Sequence, residues 1–115
     1  NRLKEDLLDY ISKNFSDSTL CLDSIAQHFG FSSSYISRYF KEQTGVPFSQ
    51  YVNRFRVDRA KRLLADPQSQ VKLVAQQVGF ENVNTFIRVF KSFEGISPGV
   101  YKETLLKKEL DADPR

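Results

Sequence analysis

Two sets of side chains in this sequence could do chemistry on a partner. Ser34, Ser37, Arg38 and Lys41 stand at i, i+3, i+4 and i+7, so on a helix they share one face. Asn84, Ile87, Arg88 and Lys91 repeat that spacing, with Asn82 and Thr85 beside them. Short hydroxyl and amide side chains joined by an arginine suit a helix pressed into the major groove of a nucleic-acid duplex. There arginine bridges guanine O6 and N7, asparagine pairs with adenine, and isoleucine touches the thymine methyl group. Lys41 and Lys91 suit phosphates better than bases. An ordinary solvated helix face explains the first stripe equally well, whereas Ile87 in the second argues for a surface that becomes covered.

Catalysis has less to work with. Cys21 and His28 supply the chain's one thiol and one imidazole. No pair of carboxylates has a helical spacing that suggests acid–base work or a metal site. His28 is expected on the surface of its helix, since its counterpart in the repeat described below is Gln77. The expectation is therefore a non-enzyme that needs no cofactor. One cysteine cannot form an internal disulfide, and nothing marks an oxidising compartment. No apolar run approaches the ~18 residues of a membrane span, and no signal-peptide pattern is present. The chain opens on Asn and reads as a soluble, cytoplasmic piece of a larger protein, without membrane contact.

The net charge of +3 would not by itself name a polyanionic partner. Its distribution says more: residues 1–30 are net acidic, 31–101 net basic and 102–115 neutral. The basic excess peaks where Arg54, Arg56, Arg59, Lys61 and Arg62 face only Asp58 and Asp66.

The elements that must position the two stripes are themselves repeated. Ile25-Ala26-Gln27-His28-Phe29-Gly30-Phe31 returns 49 residues later as Val74-Ala75-Gln76-Gln77-Val78-Gly79-Phe80. One residue is then inserted and the copies continue at an offset of 50: Arg38 matches Arg88, Phe40 Phe90, Lys41 Lys91, Gly45 Gly95 and Tyr51 Tyr101. Every long segment has helical period and none alternates like a strand. Leu3, Leu7, Leu8, Ile11 and Phe15 give a first helix at 2–14. A second starts near Leu22 and stops at Gly30, and a third is capped by Ser32 and runs to Thr44 before Gly45. Pro47 opens a fourth, which runs to about Ala65, where Asp66-Pro67 stops it. The second copy gives helices at 71–78 and 83–94, and Ser97-Pro98 starts a seventh that reaches about Leu110. The expected fold is all-α: a first lobe at 1–46, a linker helix at 47–66, a second lobe at 67–110 and a frayed tail at 111–115.

Ala26, Gly30 and Ile36 have the spacing of a helix-turn-helix, in which a small residue lets the helices approach, glycine makes the turn and an aliphatic residue locks the second helix. Ile25, Phe29, Phe31 and Phe40 are expected to fill the small core. In the second copy Phe86, not Thr85, takes the locking position, which implies a turn one residue longer.

At these residues the chain resembles the DNA-binding domain of the AraC/XylS family of bacterial transcription regulators over residues 2–104. Gly79-Phe80 through Phe86, Arg88, Phe90-Lys91 and Gly95 to Ser97-Pro98 and Tyr101 reads like that family's signature. The resemblance implies two helix-turn-helix lobes joined by a long helix, each placing a recognition helix in one of two successive major-groove segments of a double-stranded operator. It carries base contacts onto Ser34, Ser37 and Arg38, and onto Val83, Asn84, Thr85 and Arg88, to which the stripe adds Ile87. Ser33, Tyr35, Lys41, Asn82 and Lys91 are assigned to the DNA backbone. Partners outside this chain would be a sensing domain and RNA polymerase. A helical protein-interaction module remains the alternative; it leaves the clustered arginines unexplained.

Overall fold

A computed structural model describes residues 2–112, with side chains through Leu110. The described residues form seven helices and no strand: α1 Arg2–Asn14, α2 Leu22–Phe29, α3 Ser33–Thr44, α4 Phe48–Leu64, α5 Val71–Gln77, α6 Val83–Glu94 and α7 Pro98–Ala112. The all-α expectation holds, and each helix starts and stops within a residue or two of the punctuation in the sequence. α7 runs on to Ala112, and 113–115 lie outside the described residues. The chain forms two compact units, one up to Phe55 and one from Arg56 onward, so that α4 contributes its first turns to one and its last turns to the other.

In the first unit α2 packs on α3. Leu7 and Ile11 of α1, Ile25 and Ala26 of α2, Ile36 and Phe40 of α3, and Phe48 and Val52 of α4 make one core. Phe40 sits edge-on to both Phe48 and Tyr51, with centroids 5.5 and 5.3 Å away, an arrangement that adds to plain apolar burial. In the second unit α5 and α7 pack on α6. Phe86 and Phe90 are fully buried, and Phe90 meets Tyr101 edge-on at 5.5 Å. The matched pairs Phe40–Tyr51 and Phe90–Tyr101 thus do the same work in both units.

The two helix-turn-helix turns are built alike up to their phenylalanine. Gly30 (φ 79°) and Gly79 (φ 103°) take the left-handed conformation open to a residue without a Cβ. The N–H of Phe31 donates to the Ala26 carbonyl and that of Phe80 to the Ala75 carbonyl, each at 2.9 Å. Then they diverge: Ser32 caps α3 at once, whereas Glu81 intervenes before Asn82 caps α6. The longer second turn and the locking role of Phe86 agree with the sequence.

The core expected of the first copy needs one correction. Phe31 does not fill it but stays 41% exposed, lying against Tyr35 with centroids 4.9 Å apart. Its counterpart Phe80 is buried, 5.3 Å from Phe86 and with the Arg56 guanidinium 5.5 Å above its ring. The first copy has the smaller Ile36 where the second has Phe86, and Leu7 at the position matching Arg56. Its phenylalanine has neither a buried ring like Phe86 nor a cation at those positions to lie against.

Candidate nucleic-acid interface

In the first unit the polar stripe begins at the α3 cap, where Ser32 Oγ accepts a hydrogen bond from the Tyr35 N–H at 3.1 Å. Ser34, Ser37, Arg38 and Lys41 are all exposed and line one shallow depression with Leu22 and Ser33. Neither Arg38 nor Lys41 makes an ion pair among the described residues. Ser33 is half-buried and donates its hydroxyl to the Asp23 carboxylate of α2 at 2.5 Å. Tyr35 is stacked between Phe31 and Tyr39, its ring nearly parallel to both.

In the second unit the Asn82 side-chain oxygen caps α6, accepting from the N–H groups of Asn84 at 2.7 Å and Thr85 at 3.4 Å. With that oxygen engaged, the Asn82 amide NH₂ is the part left to donate outward. Asn84, Arg88 and Lys91 are exposed, and neither cation has an ion pair among the described residues. Val83, Thr85 and Ile87 are half-buried. For Ile87 this corrects the reasoning from sequence: part of its apolar surface is already covered within the protein, so a partner is not needed to explain all of it. Asn82, Val83 and Asn84 border a depression with Lys72, Gln76 and Glu81.

Sequence reasoning missed three charged neighbours of these stripes: Asp23 beside α3, and Lys72 and Glu81 beside α6. The signal lay in the repeat, whose 49-residue offset sets Asp23 against Lys72.

The basic cluster between the copies is less available than its composition suggests. Arg56 is buried at 7% exposure against Phe80. Lys61 pairs with Glu94 at 3.0 Å and lies 5.9 Å from the Tyr101 ring, and the hydrogen bond to Glu94 raises its pKa above the usual lysine value. These cations are engaged within the second unit; Arg38, Lys41, Arg88 and Lys91 on α3 and α6 make no ion pair among the described residues.

Cys21 and His28 also have structural occupations. Cys21 caps α2: its Sγ accepts from the Ser24 N–H at 3.4 Å while Ser24 Oγ accepts from the Cys21 N–H at 3.0 Å, a reciprocal capping box with a thiol in place of the usual hydroxyl. The bond from the Ser24 backbone holds the thiol pKa below its ordinary value. The His28 ring lies 4.5 Å from Tyr10 and 5.0 Å from Phe29. No group of three His, Cys, Asp or Glu side chains among the described residues could hold a metal ion.

A family model described as a helix-turn-helix domain matches residues 25–104. The chain belongs to the AraC/XylS type of helix-turn-helix regulators. Within this family it is 37% identical over 101 residues to YtdP of Bacillus subtilis, an HTH-type transcriptional regulator, covering 88% of this chain and 13% of YtdP. The C-terminal domain of the two-component response regulator yesN from Fusobacterium nucleatum superposes with a TM-score of 0.86 at 35% identity, covering 89% of this chain and 99% of that one. The DNA-binding domain of AdpA, crystallised with a target DNA, shares the fold at a TM-score of 0.84 and 22% identity, covering 90% of this chain and 93% of that one. The chain spans 13 to 35% of the length of the first three curated regulators it matches.

Proposed function

We propose that this chain is the sequence-specific double-stranded DNA-binding part of a bacterial transcription regulator, with α3 and α6 as recognition helices in successive major-groove segments. The observation that carries this reading is the contrast among its cations. Arg38, Lys41, Arg88 and Lys91 recur at matched positions of two helix-turn-helix pairs, exposed and without ion pairs among the described residues, while Arg56 and Lys61 are engaged internally. Ser34, Ser37 and Arg38 read bases in the first unit, and Val83, Asn84, Thr85, Ile87 and Arg88 in the second. Ser33, Tyr35, Lys41, Asn82 and Lys91 hold the backbone. The half-buried Val83, Thr85 and Ile87 contribute by contact with base methyl groups, and Asn84 and Arg88 by hydrogen bonds.

In this reading the chain has no catalytic task, which fits the engagement of Cys21 as a cap and of His28 among aromatic rings. A sensing domain and RNA polymerase belong to the whole regulator. A cytoplasmic setting follows from access to DNA, and no described helix is long and apolar enough to cross a membrane. Selection from random duplexes tests the proposal: two enriched motifs about one helical turn apart are expected, and failure to enrich any motif overturns it. Affinity should also fall steeply with salt as counterions are released, which a mostly apolar protein interface would not do.

A further inference from the structure

The two recognition helices differ most sharply in a residue that belongs to neither. Asp23 lies in the first turn of α2, exposed, and its carboxylate accepts the hydroxyl of Ser33, the first residue of α3. It therefore stands at the end of α3 from which Ser34 projects, one to two turns from the cations Arg38 and Lys41. The same position in the second copy is Lys72, also exposed, which borders the α6 depression together with Glu81. At the start of α6 a cation and a carboxylate stand together; at the start of α3 the carboxylate has no ion pair among the described residues, and the nearest stripe cations lie further along the helix.

A negative charge beside a phosphate-facing surface opposes every duplex alike, because each carries the same backbone charge. A penalty common to all duplexes leaves the ratio of their affinities unchanged and instead sets how much base contact the first unit needs before it is occupied at a given concentration. Asp23 also engages the Ser33 hydroxyl, which must leave the carboxylate before it can donate to a phosphate oxygen.

We propose that Asp23 sets the affinity of the first unit, weakening its grip on every duplex, while Lys72 at the matching position anchors the second unit. This rests on the DNA-binding reading above. Phosphate attraction then belongs mainly to α5–α6, and α3, with its short serines, holds DNA chiefly through its base contacts.

Binding of the purified chain to a selected duplex and to a random duplex of equal length, measured by fluorescence anisotropy across a KCl series, tests the proposal. Asp23→Asn should tighten random-duplex binding about threefold, the effect of one screened unit charge several ångströms from a phosphate. It should tighten selected-duplex binding by a similar factor, so that the ratio of the two affinities is kept. Asp23→Lys should go further and steepen the salt dependence by about 0.9 in log–log slope, as one added phosphate contact does. Lys72→Ala should weaken both duplexes alike and flatten the slope. Asp23→Glu, which keeps the charge, should keep the wild-type affinities, and melting temperatures report whether each variant is folded. Unchanged random-duplex affinity in both Asp23→Asn and Asp23→Lys overturns the proposal while leaving DNA binding intact. Absence of wild-type binding to every duplex sinks the DNA-binding reading and Asp23's role with it.

Discussion

Phe31 and Phe80 occupy the same place in the same motif, each following a left-handed glycine and donating the same hydrogen bond, yet one is 41% exposed and the other 6%. The backbone device was copied; the packing around it was not. Phe80 has Phe86 and Arg56 to lie against. Phe31 has Ile36 in place of the first and nothing like the second, and turns outward onto Tyr35. A repeat in sequence therefore fixes hydrogen bonding within each turn, while burial depends on residues far from it in the chain.

The sharpest way to break that comparison is to truncate both rings. Phe80→Ala should cost about 3–5 kcal/mol in urea unfolding, the range for a buried aromatic that leaves a cavity. Phe31→Ala should cost about 1 kcal/mol or less, since its ring is already largely in water and loses mainly a stacking contact. Equal losses would mean that the outward turn of Phe31 is not how the first unit packs.

The next contrast concerns the arginines. Arg38→Ala and Arg88→Ala should each cost about 1–3 kcal/mol at the selected site if each reads a base. A matching loss on random DNA would reduce that arginine to a phosphate anchor. The lysines should behave in the opposite way: Lys41→Ala and Lys91→Ala are expected to weaken all duplexes and lower the salt slope by about 1 each. A purely site-specific effect would contradict their assignment.

The smallest effect concerns Lys61 and Glu94. Lys61 gains its pKa rise from Glu94 in the folded state, so the pair's contribution is complete below the ordinary lysine value and is lost as pH climbs through the raised one. Lys61 is a third exposed, and the pair is worth about 1 kcal/mol or less. The stability difference between wild type and Glu94→Gln should therefore shrink at strongly alkaline pH, and a difference that grew there would refute the assignment.

The helices and their caps were legible because their signals are local. Gly30, Gly45, Gly79 and Gly95 take positive φ where the sequence placed the ends of helices, and Ser32, Asn82 and Ser97 cap where they stand. Ile36 and Phe86 were legible as locking residues because their spacing from the turn glycine sets which side of the helix they occupy. What escaped was lateral. Nothing within a few residues of Ser33 announces that Asp23 will take its hydroxyl, and nothing near Arg56 announces the ring of Phe80. The arginine cluster read as one electrostatic feature because composition counts charges without saying which are already engaged. Ile87 was misjudged for a related reason: the width of a buried helix stripe depends on the neighbouring helix as well as on the spacing.

The thiol that caps α2 has a practical consequence for anyone who studies this protein with probes. The chain has a single cysteine, exposed and with a lowered pKa, so maleimides and iodoacetamides will find it readily. A dye attached there sits on the atom that accepts the Ser24 N–H, two residues from Asp23 and at the rim of the surface proposed to contact DNA. Labelling at Cys21 is therefore itself a perturbation of the first unit. A reporter carried by the DNA, or by a cysteine introduced on a distant exposed helix face in a Cys21→Ser background, leaves the cap in place.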